Sequence, residues 1–294
     1  MNYVGIDIGG TQLRAAFFDE ERKVLDIYKT NNDHGLTCEQ NMDKLIDFIL
    51  KGQQYFPLAG IGIGCPGPLD TKKGVVLNPP NLVGWDNFEI VKYVEGRTKL
   101  HVEVNNDANV AGLAEALLGA GTGYESVVYM TVSTGLGGAY VYKNQLINGA
   151  HTNAAEFWNM IVNDDSYCHK NANPGSLNEQ VSGSGLARIA TERFGKPTSA
   201  KELFEKFYSK DLAAVEIVEK AAEILAKGIA NVTYTIDPDI IVIGGSVAIY
   251  NPVFVEMALE RAKKYICFDN GVVNTAKAIF GDDAGLIGAS LLIG

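Results

Sequence analysis

The stretch "HVEVNNDANV", residues 101 to 110, places one carboxylate among three carboxamides where an apolar strand gives way to a helix. The carboxylate is Asp107, and the carboxamides are Asn105, Asn106 and Asn109. On the simplest interpretation Asp107 is the N-cap of the helix, a position that aspartate fills well. Carboxamides near a buried strand end are costly without hydrogen-bonding partners, and a polyhydroxylated ligand would supply them. A carboxylate aimed at such a ligand could act as a general base and accept the proton of an attacking hydroxyl.

A glycine-rich turn near the N-terminus has the residue types of a phosphate site. In "IDIGGTQLR" Asp7 ends an apolar strand, Gly9 and Gly10 permit a tight backbone path, and Thr11 adds a hydroxyl and an amide. Such a turn brings amide N–H groups close to phosphate oxygens, and an adjacent carboxylate can hold Mg²⁺ through water. A plain hairpin turn is the alternative, and this turn taken alone favours it.

Two more glycine turns follow apolar strands. In "TVSTGLGGAYV" Thr134 and Gly135 lie between two strands, and in "IVIGGSVA" Gly244 and Gly245 end one. The first is neither a P-loop nor a dinucleotide fingerprint, because no helix follows it and no GK[ST] ends it. Each turn alone could be an ordinary hairpin or strand end. The three together favour a nucleotide, since a nucleotide lying across a cleft needs close backbone approach at several points.

The segments around these turns predict an α/β protein. Apolar alternation and apolar runs predict three opening antiparallel strands in "NYVGIDIGG", "QLRAAFFD" and "RKVLDIYKT", and later strands in "LAGIGIGC", "LHVEV" and "DIIVIGGSVA". Helical spacing predicts helices at 38–50, near 88–95, at 108–119 and across 211–236. The segment "ESVVYMTVSTGLGGAYVYKNQLING" repeats the strand, turn and strand of the N-terminus. Two such halves predict a duplicated fold with a cleft between them.

The bulk properties exclude several classes of protein. The length of 294 residues fits one large domain or two smaller ones. The formal charge of -10 argues against a nucleic-acid surface, which needs clustered Lys and Arg. The first residues, "MNYVGIDIGG", have no basic stretch followed by a long apolar run, and no segment elsewhere reaches about 18 consecutive apolar residues. Its four cysteines are scattered without metal-site spacing. We therefore expect a cytoplasmic protein with reduced thiols and no membrane contact.

Taken in order, the motifs resemble those of the ROK family of repressors and sugar kinases, within the actin and hexokinase superfamily. The matching stretches span nearly the whole chain: "DIGGTQLR", "GIGCPGPLD", "NNDAN", "TVSTGLGGA", "GAHTNAAEFWNM", "IDPDIIVIGG" and "AGLIGAS". The resemblance implies two ribonuclease-H-like (actin/hexokinase-type) domains with a cleft between them. We expect a smaller domain of residues 1–118 plus 282–294 and a larger one of residues 119–281. Homodimers are common among relatives, and residues 203–236 could supply either an interface or an internal core helix.

The resemblance also implies an activity, the ATP-dependent phosphorylation of a hexose at its 6-hydroxyl, with Asp107 as the general base. The phosphates would be held by Gly9, Gly10, Thr11, Thr134 and Gly135. Asp7 would act near Mg²⁺, and Gly244 and Gly245 would flank the adenosine. The sugar hydroxyls would contact Gly67, Asn81, Asn106 and Glu156, while Asn105 and Asn109 would shape the turn.

The chain departs from the family at its zinc motif. Typical members have a histidine shortly after the sugar-binding glutamate and then a CxCGxxGCxE segment, which together bind a structural Zn²⁺. Here Asn159 stands at the histidine position, and the three cysteine positions correspond roughly to His169, Asn171 and Ser176. Zinc needs about four nitrogen or sulfur ligands, so we predict no zinc.

This departure also affects the choice of sugar. Asn159 replaces a histidine that contacts sugar, and the family's last glutamate corresponds to Asn178, or to Glu179 one residue on. Some N-acetylmannosamine kinases and β-glucoside kinases of the family also lack the zinc cysteines. The segment "GIGCPGPLDTKKGVVLNPPNLVGWDNFEIVKYV" resembles the former more. We predict N-acetylmannosamine first, with glucose or a β-glucoside as alternatives.

Three other classes of protein are alternatives to a kinase. Repressors of the family carry a helix-turn-helix before the kinase-like region, and a first strand at residue 2 leaves no room for one. A catalytically silent sugar sensor would not need Asp107 and both phosphate turns. A nucleotide hydrolase of the same superfold would not need Asn106 and Glu156.

Overall fold

A computed structural model of the chain describes residues 1–169, 172–268 and 272–294. Its strands are β1 (Asn2–Ile8), β2 (Gln12–Phe18), β3 (Val24–Asn31), β4 (Leu58–Cys65), β5 (Leu69–Asp70), β6 (Val75–Val76), β7 (Val102–Asn106), β8 (Ser126–Val132), β9 (Leu136–Tyr142), β10 (Gln145–Leu146), β11 (Ile240–Gly244) and β12 (Thr275–Lys277). Its helices are α1 (Cys38–Gly52), α2 (Ile90–Thr98), α3 (Asp107–Leu117), α4 (Leu177–Val181), α5 (Gly183–Phe194), α6 (Ala200–Tyr208), α7 (Leu212–Ile236), α8 (Ser246–Tyr250), α9 (Pro252–Ala262) and α10 (Ala284–Ser290). Single 3-10 turns span Phe157–Asn159 and Gly281–Asp283.

By its contacts the chain divides into two compact units. Unit 1 comprises Met1–Leu118, Asn144–Ala154 and Asp282–Gly294, and unit 2 comprises Gly119–Lys143 and Ala155–Gly281. The units differ from the predicted domains in one segment, residues 144–154, which pack with unit 1. Two contacts explain this: Asn105 Nδ2 donates to Asn148 Oδ1 at 2.8 Å, and the hydroxyls of Thr71 and Thr152 are 2.9 Å apart. The domain boundaries stay a prediction, because the two units are defined only by contacts between residues.

Unit 1 contains a five-stranded sheet in the order β3-β2-β1-β4-β7. β1, β2 and β3 are antiparallel, as predicted, and β4 and β7 run parallel to β1. The last strand lies two residues later than predicted, because Asn105 and Asn106 pair with Gly64 and Cys65 instead of following the strand. Helix α1 packs in the core of this sheet through Leu45, Ile46 and Ile49, and α2 through Ile90 and Val94.

Unit 2 repeats the opening of unit 1. β8 and β9 form an antiparallel hairpin, and β11 and β12 extend the sheet parallel to β8. The long helix α7 supplies much of the apolar core beside this sheet, with buried residues that include Ile217, Ala221, Leu225 and Ile229. The predicted α/β fold with two similar halves is confirmed.

Helix α10 returns to the N-terminal sheet, as the resemblance implied. Its approach is so close that a side-chain carbon on Gly62 would lie 1.7 Å from the Ala289 carbonyl oxygen, and one on Gly288 would lie 1.7 Å from that of Val110. Arg22 adds hydrogen bonds to the carbonyl oxygens of Ser290 and Ile293 at 2.5 and 2.9 Å. The C-terminal residues are therefore part of unit 1.

Among the described helices, none combines the length and the hydrophobicity that a bilayer crossing requires.

Candidate active site

The carboxyl ends of three parallel strands meet at one edge of the unit 1 sheet. Asp7 of β1 is level with Gly64 of β4, and Gly64 is level with Asn105 of β7. Ligands of open α/β sheets bind outside the carboxyl ends of the strands. The structure thus brings the first glycine turn and the "NNDAN" segment to the same edge, although 100 residues separate Asp7 from Asp107.

Asn106, and not Asp107, is the N-cap of α3. Asn106 Oδ1 accepts hydrogen bonds from the amides of Ala108 and Asn109, at 2.9 and 3.4 Å. Asp107 is the first residue of the helix, and its side chain is exposed to solvent with Oδ1 2.8 Å from the Ala108 amide. The simplest interpretation of Asp107, as the helix cap, is therefore wrong. Its position suits a group that acts on a ligand.

The surroundings of Asp107 shift the pKa of its carboxyl group upward. Protein atoms crowded around the side chain partly desolvate it, and this desolvation raises the pKa of its carboxyl group above the ordinary value. The charge of Asp7 raises that pKa further, whereas the Ala108 amide lowers it. Burial raises the pKa of the Cys65 thiol well above its usual value, and the negative charges of Asp107 and Asp7 raise it further. Cys65 therefore stays a protonated, unreactive thiol.

The neighbouring carboxamides have two different roles. Asn105 Oδ1 accepts from Asn109 Nδ2 at 2.9 Å and from the Asn106 amide at 2.8 Å, and both side chains are buried. These contacts are what a turn-shaping role requires. Asn106 differs, because its Oδ1 caps the helix and its Nδ2 faces Gly67. A side-chain carbon added to Gly67 would lie 3.3 Å from that Nδ2. Gly67 and Asn106 thus lie together at the site edge.

The first glycine turn closes on itself and touches the predicted sugar loop. The Gly9 amide donates to the Gln12 carbonyl oxygen at 2.8 Å. A side-chain carbon on Gly10 would lie 2.9 Å from the carbonyl oxygen of Asn81, whose loop is exposed. Gly9, Gly10, Thr11 and Asn81 are therefore neighbours within unit 1.

Arg14 is a site neighbour that the sequence reasoning missed. Its Nε and Nη2 both donate to Asp7 Oδ2, at 3.0 and 2.6 Å, and Nη2 also donates to the Asp282 carbonyl at 2.6 Å. The ion pair occupies one carboxylate oxygen of Asp7. The hairpin register that pairs Asp7 with Arg14 could have predicted it, since the turn fixes which residues face each other.

The other two glycine turns lie against each other in unit 2. Gly245 adopts φ +87°, and a side-chain carbon there would lie 2.4 Å from the Val132 carbonyl oxygen. The hydroxyls of Ser133 and Ser246 are 3.0 Å apart. The structure thus brings Thr134 and Gly135 to the same strand edge as Gly244 and Gly245. Ser246 was not predicted, because nothing in its local sequence marks its partner 113 residues away.

The start of α5 also lies at the Thr134 turn. The amides of Gly183 and Ser184 donate to the carbonyl oxygens of Ser133 and Thr134 at 2.7 and 3.0 Å. Asn178 Oδ1 accepts from the Leu136 amide at 2.9 Å. The carboxamide that stands near the family's last glutamate therefore supports the turn from within unit 2.

Glu156 precedes a 3-10 turn, and Asn159 is the last residue of that turn. Trp158 Nε1 donates to Glu156 Oε2. Asn159 Oδ1 accepts from the Asn173 amide at 2.5 Å, and Asn173 Nδ2 donates to the Asn159 carbonyl at 3.1 Å. The Asn159 carboxamide is thus already tied to a loop, which leaves its Nδ2 as the group to offer a ligand.

The segment in place of the zinc motif carries no evident metal site in the part of the chain that is described. No group of three or more His, Cys, Asp and Glu side chains is placed there to hold a metal ion. Cys168 and His169 are exposed, and Asn171 lies outside the described residues. The absence of zinc stays a prediction.

The model of the ROK family matches residues 3–294. The chain belongs to the ROK family. The glucokinase of Halalkalibacterium halodurans is 31% identical to this ROK protein, over 99% of this chain and 94% of that one. The resemblance stated from the sequence motifs is confirmed.

Solved ROK structures share the fold over the whole chain. The ROK hexokinase from Thermus thermophilus is 32% identical with a TM-score of 0.92, covering 99% of this chain and 97% of that one. The ROK glucokinase from Streptomyces griseus, solved with glucose and AMPPNP, is 28% identical with a TM-score of 0.80 and 99% coverage of both chains. Lmo2764 from Listeria monocytogenes, proposed to be an N-acetylmannosamine kinase, is 26% identical with a TM-score of 0.84, covering 100% and 98%.

These likenesses confirm the actin/hexokinase-type two-domain α/β fold. They support a sugar kinase of a family that uses ATP, and they leave the sugar and the hydroxyl open because the relatives are named for different sugars.

Proposed function

We propose that this ROK protein is an ATP-dependent kinase that transfers the γ-phosphoryl group to the 6-hydroxyl of a hexose, with N-acetylmannosamine as the first candidate. The observation that carries the proposal is the division of labour at the start of α3. Asn106 caps the helix, so Asp107 is a carboxylate that the fold does not need for capping. It lies at the carboxyl edge of the sheet, where substrates of such folds bind.

Asp107 acts as the general base in this reaction. The 6-hydroxyl oxygen attacks the γ-phosphorus, the bond from that phosphorus to the β–γ bridging oxygen breaks, ADP leaves, and the hydroxyl proton passes to Asp107. A carboxylate with a raised pKa is a stronger base than an ordinary one, which suits the task. A positioned base contributes about 10² to 10⁴ in rate.

The glycine turns hold the nucleotide. Gly9, Gly10, Thr11, Thr134 and Gly135 contact the phosphates, and Gly244 and Gly245 flank the adenosine. The chemistry of Asp7 fits Mg²⁺, because the ion pair with Arg14 uses Oδ2 and leaves Oδ1 as a carboxylate ligand. Mg²⁺ bound with ATP would neutralise charge on the phosphates.

The sugar is held by Gly67, Asn81, Asn106, Glu156 and Asn159. The Asn159 contact comes from Nδ2, since Oδ1 is engaged by Asn173. N-acetylmannosamine is favoured by the segment "GIGCPGPLDTKKGVVLNPPNLVGWDNFEIVKYV" and by the likeness to the Listeria protein. A glucokinase or β-glucoside kinase is the alternative, favoured by the glucokinase relative. The protein acts in the cytoplasm, without nucleic-acid or membrane partners, and a homodimer is the proposed assembly.

The test is coupled-assay ADP release with Mg-ATP against N-acetylmannosamine, N-acetylglucosamine, glucose, mannose, fructose and cellobiose. ADP release without sugar is the control for a nucleotide hydrolase. Strong turnover with one sugar, and none with its 6-deoxy analogue, is the expected result. Silence across the panel with sugar binding still detectable would replace the kinase by a sugar sensor.

A further inference from the structure

One asparagine outside the glycine turns contacts the Gly9–Thr11 turn at both ends. Asn32 Nδ2 donates to the Gly9 carbonyl oxygen at 3.0 Å, and the Asn32 backbone amide donates to the Thr11 carbonyl oxygen at 3.0 Å. Asn32 follows β3 directly and is 5% exposed. Its Oδ1 is buried and has no hydrogen-bond partner among the described residues, so the polar contribution of this side chain rests on Nδ2.

These two contacts fix the direction of the amides in the turn. In a planar trans peptide the carbonyl of one residue and the N–H of the next point in opposite directions. Because the Gly9 carbonyl faces Asn32, the N–H of Gly10 points away from Asn32. The Thr11 carbonyl orients the N–H of Gln12 in the same way. Both N–H groups therefore point away from Asn32, and backbone N–H groups oriented by a turn can bind an anion.

We propose that Asn32 is a positioning residue for the nucleotide: it aims the Gly10 and Gln12 amides at the phosphates without touching them itself. This inference rests on the proposed function, in which the Gly9–Thr11 turn holds the phosphates. The phosphate site is thus built from β3 as well as from the glycine turn. The residue adds no charge, so its effect on binding comes from orientation alone.

The experiment measures AMPPNP binding with Mg²⁺ by calorimetry. Asn32→Ala removes the Nδ2 donor and keeps the backbone contact to Thr11, so one of the two contacts is lost. We expect the dissociation constant of Asn32→Ala to be about tenfold higher than that of the wild-type chain. A loss of this size corresponds to the net free energy of one neutral hydrogen bond. Asn32→Gln, which keeps a donor, should recover part of the loss.

Asn41→Ala is the matched control. Asn41 is also buried in unit 1, and its carboxamide holds the backbone of Asp33, next to Asn32, at 2.9 and 3.1 Å. It makes no contact with the glycine turn among the hydrogen bonds described. Asn41→Ala should lower the melting temperature as Asn32→Ala does and leave the AMPPNP dissociation constant within twofold of wild type.

Three results would overturn the inference: an Asn32→Ala constant within twofold of wild type, an equal loss in Asn41→Ala, or a wild-type chain that binds no AMPPNP. If Asn32→Ala does not fold, Asn32→Leu keeps the approximate size, removes the donor and adds no charge. Its affinity must also fall at least tenfold, and an unchanged affinity would count against the inference. If the wild type binds AMPPNP but phosphorylates no sugar, the proposed function fails while the ratio of the two constants still decides this inference.

Discussion

Asn106 caps helix α3 with its side-chain oxygen, and the adjacent Asp107 takes the first helical position with its carboxylate exposed. Consecutive residues of similar size thus divide two tasks that the sequence alone could have given to either one. One closes the helix terminus and the other is left for chemistry. The proposed kinase activity depends on that division.

The cap role of Asn106 predicts a measurable cost in stability. Asn106→Ala should lower the free energy of unfolding by about 1 kcal/mol, the usual cost of losing an N-cap. It should also raise the KM for sugar about tenfold, because Nδ2 is lost. Thr37→Ala is the control, since Thr37 caps α1 and is none of the residues proposed to contact the sugar. It should cost similar stability in denaturant titrations without changing the KM for sugar, and a sugar effect equal to that of Asn106→Ala would remove Asn106 from the sugar site.

The raised pKa of Asp107 predicts how stability depends on pH. A raised folded-state pKa means that the native state holds the proton more tightly than the unfolded state, so ionisation of Asp107 costs stability. The stabilising contribution is present below the ordinary value of 3.8 and is lost as the pH rises through the raised pKa. Asp107→Asn should therefore be at least as stable as wild type at pH 7, with the difference shrinking toward acid pH.

The control for this dependence has the opposite sign. The hydrogen bond from the Tyr167 amide lowers the pKa of Asp165, so its ionised form stabilises the fold above the ordinary pKa, and this contribution is lost as the pH falls. Asp165→Asn should be less stable than wild type at pH 7. Denaturant titrations of both variants at pH 4 and pH 7 check the two signs, and a clear loss of stability at pH 7 in Asp107→Asn would contradict the pKa direction.

The close approach at Gly245 predicts a large effect of one methyl group. Gly245 has φ +87° and ψ 152°, a region that only glycine adopts readily, and its added carbon would meet the Val132 carbonyl. Gly245→Ala should cost roughly 3 kcal/mol and raise the KM for ATP. Gly195 has φ +67° with open space around it, so Gly195→Ala should cost only about 1 to 2 kcal/mol and leave ATP kinetics unchanged. Equal effects of the two variants would contradict the packing at Val132.

The residues of segment 159–179 predict that the stability of the protein does not depend on zinc. Cys168 and His169 are adjacent in sequence and exposed, and two such residues do not make up the four ligands of a tetrahedral zinc site. Dialysis against a chelator should leave the melting temperature unchanged, and elemental analysis should find no stoichiometric zinc. One zinc per chain, lost together with stability on chelation, would mean that the alignment of this segment with the family motif is wrong.

Much of the fold follows from the sequence because its signals are local. Alternating and continuous apolar runs predicted the strands of the two five-stranded sheets except β12, and helical spacing predicted α1, α3 and α7 within a few residues. The shift of β7 onto Asn105 and Asn106 was not predictable in the same way. Polar residues rarely continue a strand, and here their pairing with β4 depends on the neighbouring chain segment.

The site was predictable to a smaller extent, because contacts between distant segments build it. The glycine turns and "NNDAN" could be found as motifs, and the resemblance assigned their roles. Asn32 lies 23 residues from Gly9 and Ser133 lies 113 residues from Ser246, so neither pair leaves a local pattern. The hydrogen bonds between Asn159 and Asn173 likewise depend on the conformation of the loop that joins them.

The central claim is tested most directly by sugar-dependent ADP release from wild type and Asp107→Asn with the best sugar of the panel. Asp211→Asn is the control, because Asp211 caps α7 and has no place in the site. The account predicts a fall of about 10² to 10⁴ in kcat for Asp107→Asn, with sugar affinity kept and Asp211→Asn fully active. A variant Asp107→Asn that retains more than a tenth of the wild-type kcat would contradict the assignment of Asp107 as the general base.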